Sequence, residues 1–330
     1  MARAAGVSYT TVSHVINGTR RVAAETAARV EKAIGELHYR PSAPARGLRT
    51  GSSGLIGVLT SRGEDLYFDE VLVGIEDACR EAGVGMIVTH SNGDPAEETE
   101  SVGMLVSKGV DAVLLNNFMG SAEAFAILEA ARMPIVVMQA RPTAYAADIV
   151  TTDDYGGARA AIDHLLANGH TRIACVAGPS YPHHDVVARR AGYRDALTAA
   201  GIAPRLDFFA TADYTAAAAY ESFARLMAVP DPPTAVFLYS DIMAHGALRA
   251  AADLGVGVPR DVSIVGYDDV SFAAFTSPRL TTVAQPKKRI GELAVRAALA
   301  RLRDPEAAPV TTVLPVSLTV RESSGPAPRS

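Results

Sequence analysis

Residues 6–18 read Gly6-Val7-Ser8-Tyr9-Thr10-Thr11-Val12-Ser13-His14-Val15-Ile16-Asn17-Gly18. The stretch carries the start and stop signals of one short helix. Ser8 suits the N-cap, because its hydroxyl satisfies an orphan N–H of the first turn. Asn17 and Gly18 suit the end, since both tolerate the left-handed backbone that closes helices. Val12, Val15 and Ile16 recur at i, i+3, i+4 and make a narrow apolar stripe. Tyr9, Thr10, Ser13, His14 and Asn17 form the other face, all hydrogen-bonding and none acidic. A thin buried stripe under a neutral polar face fits the DNA major groove, where base edges offer donors and acceptors. An ordinary surface helix has the same pattern, so the flanking sequence must decide.

Downstream, Val22-Ala23-Ala24-Glu25-Thr26 opens a second helix whose Val30, Ala33, Ile34 and Leu37 line one side. That side matches the stripe of Val12, Val15 and Ile16, which together describe a helix-turn-helix head. Charge agrees. Residues 1–50 hold eight Lys/Arg and three acids, a net +5, while the whole chain is −5, leaving −10 for residues 51–330. A basic head on an acidic body is the asymmetry expected of a chain with one phosphate-binding end.

Three segments then carry a resemblance: Ala5-Gly6-Val7-Ser8, Thr10 to Asn17, and Leu37-His38-Tyr39-Arg40-Pro41-Ser42. Together they resemble the head of the lactose-repressor (LacI/GalR) family of bacterial transcription regulators, and are most similar to its purine-repressor members. The resemblance implies base reading by Tyr9, Thr10 and His14, and mainly phosphate contact by Ser8, Thr11, Ser13, Asn17 and Arg20. Thr10 and His14, four apart, share a helix face, and short hydroxyl side chains at a helix start reach backbone oxygens. In the family, seven or so residues precede the point where this chain has Met1. The start of the first helix is therefore expected to be missing, with an upstream initiation codon as the working hypothesis.

Residues 41–54, bounded by Pro and Gly, read as a linker. Their middle resembles the family's hinge helix, in which Leu48 matches a minor-groove wedge that trades unstacking for bent DNA. Pro44 and Gly47 would weaken such a helix in the absence of DNA.

Beyond residue 55 apolar runs alternate with amphipathic stretches. Strands are expected at 55–59, 85–88, 111–115, 134–138, 172–177, 235–239 and 263–266. Helices are expected at 71–82, 96–107, 122–131, 155–168, 186–200, 215–228 and 242–254. Continuous apolar strands between helices mean parallel sheets covered on both faces. Thr152-Asp153-Asp154-Tyr155-Gly156-Gly157-Ala158, Asn168-Gly169-His170, Ser240-Asp241, Val258-Pro259 to Asp268-Asp269, and Leu280 to Pro286 again match the family. The resulting expectation is an N-terminal all-α helix-turn-helix head at 1–40, a hinge at 41–54 and an α/β body at 55–330. The resemblance makes the body periplasmic-binding-protein-like, two doubly wound parallel-sheet lobes. It puts lobe 1 at about 55–150 and 285–310, and lobe 2 at about 151–284 and 311–325, with chain crossings near 150, 284 and 311.

In doubly wound sheets ligands sit beyond the carboxyl ends of strands, which between two lobes is a cleft. Asp241 and Asp268 fall at such ends, although capping of the following helix is the favoured reading for Asp241. By resemblance, Arg189 clasps the effector, Asp268 is the carboxylate that accepts from the effector, Tyr214 stacks on the ligand, and Tyr67 and Phe68 are first-lobe aromatics. A donor fork, an acid and a flat apolar wall suit a polyhydroxylated or heterocyclic ligand. No arginine matching the family's purine-binding loop is found, which argues against a purine and leaves a sugar or related metabolite as the expectation.

Other classes fit less well. Adjacent His183 and His184 point apart and lack further ligands at metal-binding spacing, so neither metal nor cofactor is expected. No nucleophile elbow, P-loop or credible catalytic triad spacing occurs, which disfavours an enzyme. A transport solute receptor would need an export signal and no basic head. Cys79 and Cys175, assigned to different lobes, imply no disulfide framework and a reducing, cytoplasmic setting, nucleoid-associated when on DNA. The expected partners are double-stranded operator DNA, a small-molecule effector and a second copy of the chain as a homodimer, with no membrane. The Pro/Gly/Ser-rich tail 323–330 is expected to be loose.

Overall fold

The computed structural model describes residues 1–17, 20–37, 52–61, 66–116, 118, 120–139, 147–179 and 184–329, without the side chains of Ile16, Asn17, Ser61 and His184. Two compact units divide the chain, Met1–Gly54 and Leu55–Ser330.

The first unit holds α1 (Ala2–Ala5), α2 (Tyr9–Asn17) and α3 (Ala24–Glu36). Ser8 caps α2 as its residue type suggests: its Oγ accepts from the Thr11 N–H at 3.1 Å. Gly6 ends α1 in the left-handed region at φ 62°. A Cβ there would meet the Arg29 guanidinium, which reaches from α3 to the carbonyls of Ala5 and Gly6 at 2.7 and 2.9 Å. Ala5, Val12, Val30 and Ala33 are buried, with Val7, Val15 and Ile34 packed around them. Leu37, expected in that stripe, is 51% exposed. It is the C-cap of α3, and its ψ of 2° takes it off the helical course that would aim it inward.

In the second unit, β1 (Leu55–Ser61), β2 (Gly85–Ser91), β3 (Ala112–Asn116), β4 (Ile135–Met138), β5 (Asp148–Thr152) and β11 (Thr311–Leu314) form an all-parallel sheet in the order β11-β5-β4-β3-β1-β2. The second sheet, β12-β10-β9-β8-β6-β7, comprises β6 (Ile173–Ala177), β7 (Phe209–Thr211), β8 (Ala235–Leu238), β9 (Ser263–Asp268), β10 (Thr281–Ala284) and β12 (Ser317–Thr319). Only β12 runs antiparallel, against β10. The central strands β3, β4, β6 and β8 are buried along their whole lengths, consistent with their unbroken apolar runs.

Helices α4 (Leu66–Ala82), α5 (Pro95–Ser107) and α6 (Ala122–Ala130) belong to the first sheet, and α7 (Asp154–Ala167), α8 (His184–Ala199), α9 (Ala216–Met227) and α10 (Asp241–Leu254) to the second. Helix α11 (Lys287–Arg303) follows β10 yet packs on α4. Their close crossing depends on two glycines, since a Cβ at Gly74 would strike the Lys288 carbonyl and one at Gly291 the Val71 carbonyl. The chain thus passes between lobes three times. The last passage follows Leu314, later than expected, because Thr311–Leu314 pairs with β5 and stays in the first sheet.

The tail also differs from its composition. Ser323 is wholly buried, and its backbone carbonyl takes the Ile264 N–H at 2.7 Å. Its hydroxyl bridges the Thr281 N–H and the Ile264 carbonyl at 2.8 and 2.6 Å. The β9–β10 register begins at Val265 and Thr281, so the groups of Ile264 lie beyond β10 and the tail satisfies them.

Candidate functional site

The polar side of α2 is available in the head. Tyr9 is 83% exposed, Ser8, Thr10 and Arg20 are exposed, and Thr11, Ser13 and His14 are partly so. Asn17 closes the helix. Leu48 lies outside the described residues.

In the second unit the carboxyl ends of β4, β5, β6 and β9 bring polar side chains together. Arg189, on α8, is 3% exposed. Its Nε and Nη2 reach Asp154 Oδ1 at 2.9 and 2.8 Å, and its Nη1 donates to the Tyr239 carbonyl at 2.5 Å. The guanidinium carbon sits 3.6 Å from the centre of the Tyr267 ring. Burial is the largest single influence and opposes the charge, but the Asp154 carboxylate together with Tyr267, Asp185 and Tyr214 outweighs it and holds the group well above its ordinary pKa. Gly157 makes room for this stack, because a Cβ there would meet the Tyr267 hydroxyl.

Asp185, one turn before Arg189, stands 3.9 Å from its Nη1 and accepts from the Tyr214 hydroxyl at 2.9 Å. Tyr214 adopts φ 61°, and its ring lies over Gly178, where any Cβ would collide with it. Burial and then the Asp185 carboxylate push the Tyr214 hydroxyl well above its usual range, so it stays protonated.

Asp268 ends β9 with φ 115°. Its Oδ1 accepts from the Gln285 amide at 2.8 Å. The Gln285 carbonyl in turn accepts from Thr152 at 3.0 Å and from Tyr67 at 3.4 Å, and Gln139 donates to the Tyr67 hydroxyl at 2.5 Å. Lys287 donates to the carbonyls of Asp268 and Asp269, both at 2.6 Å, and lies 3.5 Å from Glu70. Phe68 is buried in the first-lobe core, into which Val270 and Phe272 also pack. One side-chain network therefore spans the lobes at Asp268.

Of the residues singled out in the sequence, Arg189, Tyr214, Asp268 and Tyr67 meet around this junction, and Phe68 backs it. Asp241 does not join them. It is wholly buried beneath β9, accepting from the Val270 N–H at 2.9 Å and the Thr282 hydroxyl at 2.5 Å. Ser240, not Asp241, caps α10. Arg189 is itself paired with Asp154. Sequence reading passed over Asp154, Asp185, Gln139 and Gln285. Asp154 and Gln285 stood in motifs already recognised, but nothing local assigned them partners that lie 35 and 17 residues away.

No helix among the described residues is long and apolar enough to cross a membrane. Residues 1–42 match the family described as bacterial regulatory proteins, lacI family, and residues 162–324 match the periplasmic binding protein-like domain. The chain is 38% identical over 310 residues to the HTH-type transcriptional repressor PurR of Vibrio campbellii, covering 93% of this chain and 92% of that one. Among solved structures it resembles the lac repressor dimer bound to operator and the anti-inducer ONPF, at 30% identity, 98% and 97% coverage and a TM-score of 0.88. It also resembles a complex of the transcriptional regulator CelR with cellobiose, at 32% identity, 98% coverage of each chain and a TM-score of 0.77. With its head, its two lobes and this likeness along nearly its whole length, the chain belongs to the lacI family of bacterial regulatory proteins.

Proposed function

We propose that this chain is a homodimeric, ligand-responsive transcriptional repressor that reads operator DNA through α2. The observation that carries the reading is the exposed face of α2. An aromatic side chain, Tyr9, stands 83% exposed beside Thr10, while Val12 on the opposite side is buried. A polar face backed by an apolar stripe suits a helix that enters the major groove. Tyr9, Thr10 and His14 read base edges. Ser8, Thr11, Ser13, Asn17 and Arg20 hold phosphates, and Leu48 wedges the minor groove.

The effector is a sugar or related small metabolite bound between the lobes, against Tyr67, Phe68, Tyr214 and Asp268. Arg189 supports that wall through Asp154 and Tyr267. Relatives named for cellobiose and ribose complexes support the class. An effector that prefers one lobe arrangement shifts operator affinity, and DNA shifts effector affinity by the same factor.

A gel shift on the DNA upstream of the chain's own gene, repeated across salt concentrations, tests the reading. Binding should weaken steeply with salt. His14→Ala should change sequence preference, and Arg20→Ala should lower affinity uniformly across sequences. Salt-independent binding, or none by the full-length protein, refutes it.

A further inference from the structure

We infer that Asp185 is a specificity-determining residue of the interlobe site, and that the site takes a donor-rich ligand, uncharged or aminated, and excludes anionic ones. The inference rests on the reading of that cleft as the effector site.

The local charge inventory supports it. Among the described residues, Asp154, Asp185 and Asp268 cluster with the Arg189 guanidinium about the rings of Tyr214 and Tyr267. The guanidinium is already engaged by protein groups. Its Nε and Nη2 are held by Asp154 and its Nη1 by the Tyr239 carbonyl, and its carbon lies over the Tyr267 ring. Lys287 is likewise occupied by two carbonyls and Glu70. Among the described residues both cations of the junction are therefore already matched.

The acceptors differ. The side chain of Asp185 is 18% exposed. Its Oδ2 accepts a hydrogen bond from the Tyr214 hydroxyl at 2.9 Å, and its Oδ1 has no hydrogen-bond partner among the described residues. The Tyr214 hydroxyl donates to Asp185, which leaves its own oxygen lone pairs as acceptors. Asp268 adds a second carboxylate at the end of β9. This wall offers lone pairs and negative charge. Ligand hydroxyls or an ammonium satisfy such a wall, whereas a phosphate or carboxylate would place like charge against it in a poorly solvated cleft. A serine or threonine at position 185 could bond a hydroxyl equally well. The carboxylate is what adds discrimination by charge.

The test is calorimetry and thermal shift on the full chain with matched probes: D-glucose, D-glucosamine and D-glucose 6-phosphate, the same three derivatives of D-galactose, cellobiose, and D-ribose with D-ribose 5-phosphate. At least one uncharged or aminated probe should bind tenfold or more tighter than its phosphate ester. In Asp185→Asn that ratio should shrink at least threefold, while the melting temperature of the unliganded protein stays within a few degrees. A phosphate ester that binds as well as its parent overturns the inference and leaves the cleft reading standing. A ratio unchanged in Asp185→Asn removes Asp185 from the explanation. If no probe shifts the melting temperature, the sugar reading of the cleft fails, and the inference with it.

Discussion

Asp154 and Arg189 form a buried ion pair, with Asp154 Oδ1 2.8 Å from Nη2 and 2.9 Å from Nε, and both side chains are nearly excluded from solvent. Asp154 opens α7 directly after β5, and Arg189 lies in α8, so the pair ties the first lobe crossing to the wall of the cleft. Breaking such a pair from one side leaves an uncompensated charge, at a cost of about 3–5 kcal/mol. Asp154→Ala should therefore lower unfolding free energy by about 3 kcal/mol or more in urea titration. Arg189→Lys should also destabilise, because an ammonium cannot bridge Asp154 and the Tyr239 carbonyl as the planar fork does. A loss under 1 kcal/mol in both would show that the pair is not integral to the wall.

The Asp241 carboxyl is pushed up to about 7 by burial, against the opposing effect of the Thr282 and Val270 hydrogen bonds. Its folded pKa therefore lies above the ordinary 3.8. Between those two values the native state holds the proton that the unfolded state has released, so this group's contribution to stability declines as pH rises from about 4 to 7. Asp241→Asn should remove that decline, since its carbonyl can still accept from Val270 and its amide can donate to Thr282. Denaturation of parent and variant across pH 5–8 checks this through the difference between the two curves. Burial lowers the pKa of His164 and His170, which act in the opposite direction, and they cancel in that difference.

Gln285 is the only side chain of the junction that bonds Asp268, Thr152 and Tyr67 at once among the described residues. Gln285→Ala removes all three contacts, each worth about 1 kcal/mol. Amide exchange at Asp269 and Val270 should accelerate severalfold relative to the parent, while exchange in β6 and β8 stays unchanged. Equal acceleration throughout both sheets would mean global destabilisation instead of a local link.

Ser323→Ala should cost about 1–3 kcal/mol, because it strands the buried Thr281 N–H and loosens the tail from Ile264. Limited proteolysis should then cut residues 321–329 faster than in the parent. Unchanged cleavage and stability would show that the tail is held by other contacts.

In the head, Ser8→Ala removes the cap from α2 and should destabilise that unit by about 1 kcal/mol. Circular dichroism of the full chain should show an earlier loss of a small helical fraction, and DNA binding should weaken without a change in sequence preference.

Much of this protein was readable from local pattern. Ser8 as a cap, the alternation of apolar strands with helices, and the return of residues 287–303 to the first lobe all follow from spacing, capping chemistry and family motifs. Such signals act over a few residues, and secondary structure responds to them directly. Other features depended on which distant groups the fold brings together. Asp241 and Asp268 both follow buried strands, yet one became a buried brace under β9 and the other a junction between lobes. Arg189 found Asp154 as its partner, Asp185 emerged beside Tyr214, and a tail of loose composition docked because Ile264 had backbone groups left unpaired. Hydrogen-bond and charge partners are chosen by proximity after the lobes assemble, and a one-dimensional pattern does not encode that proximity.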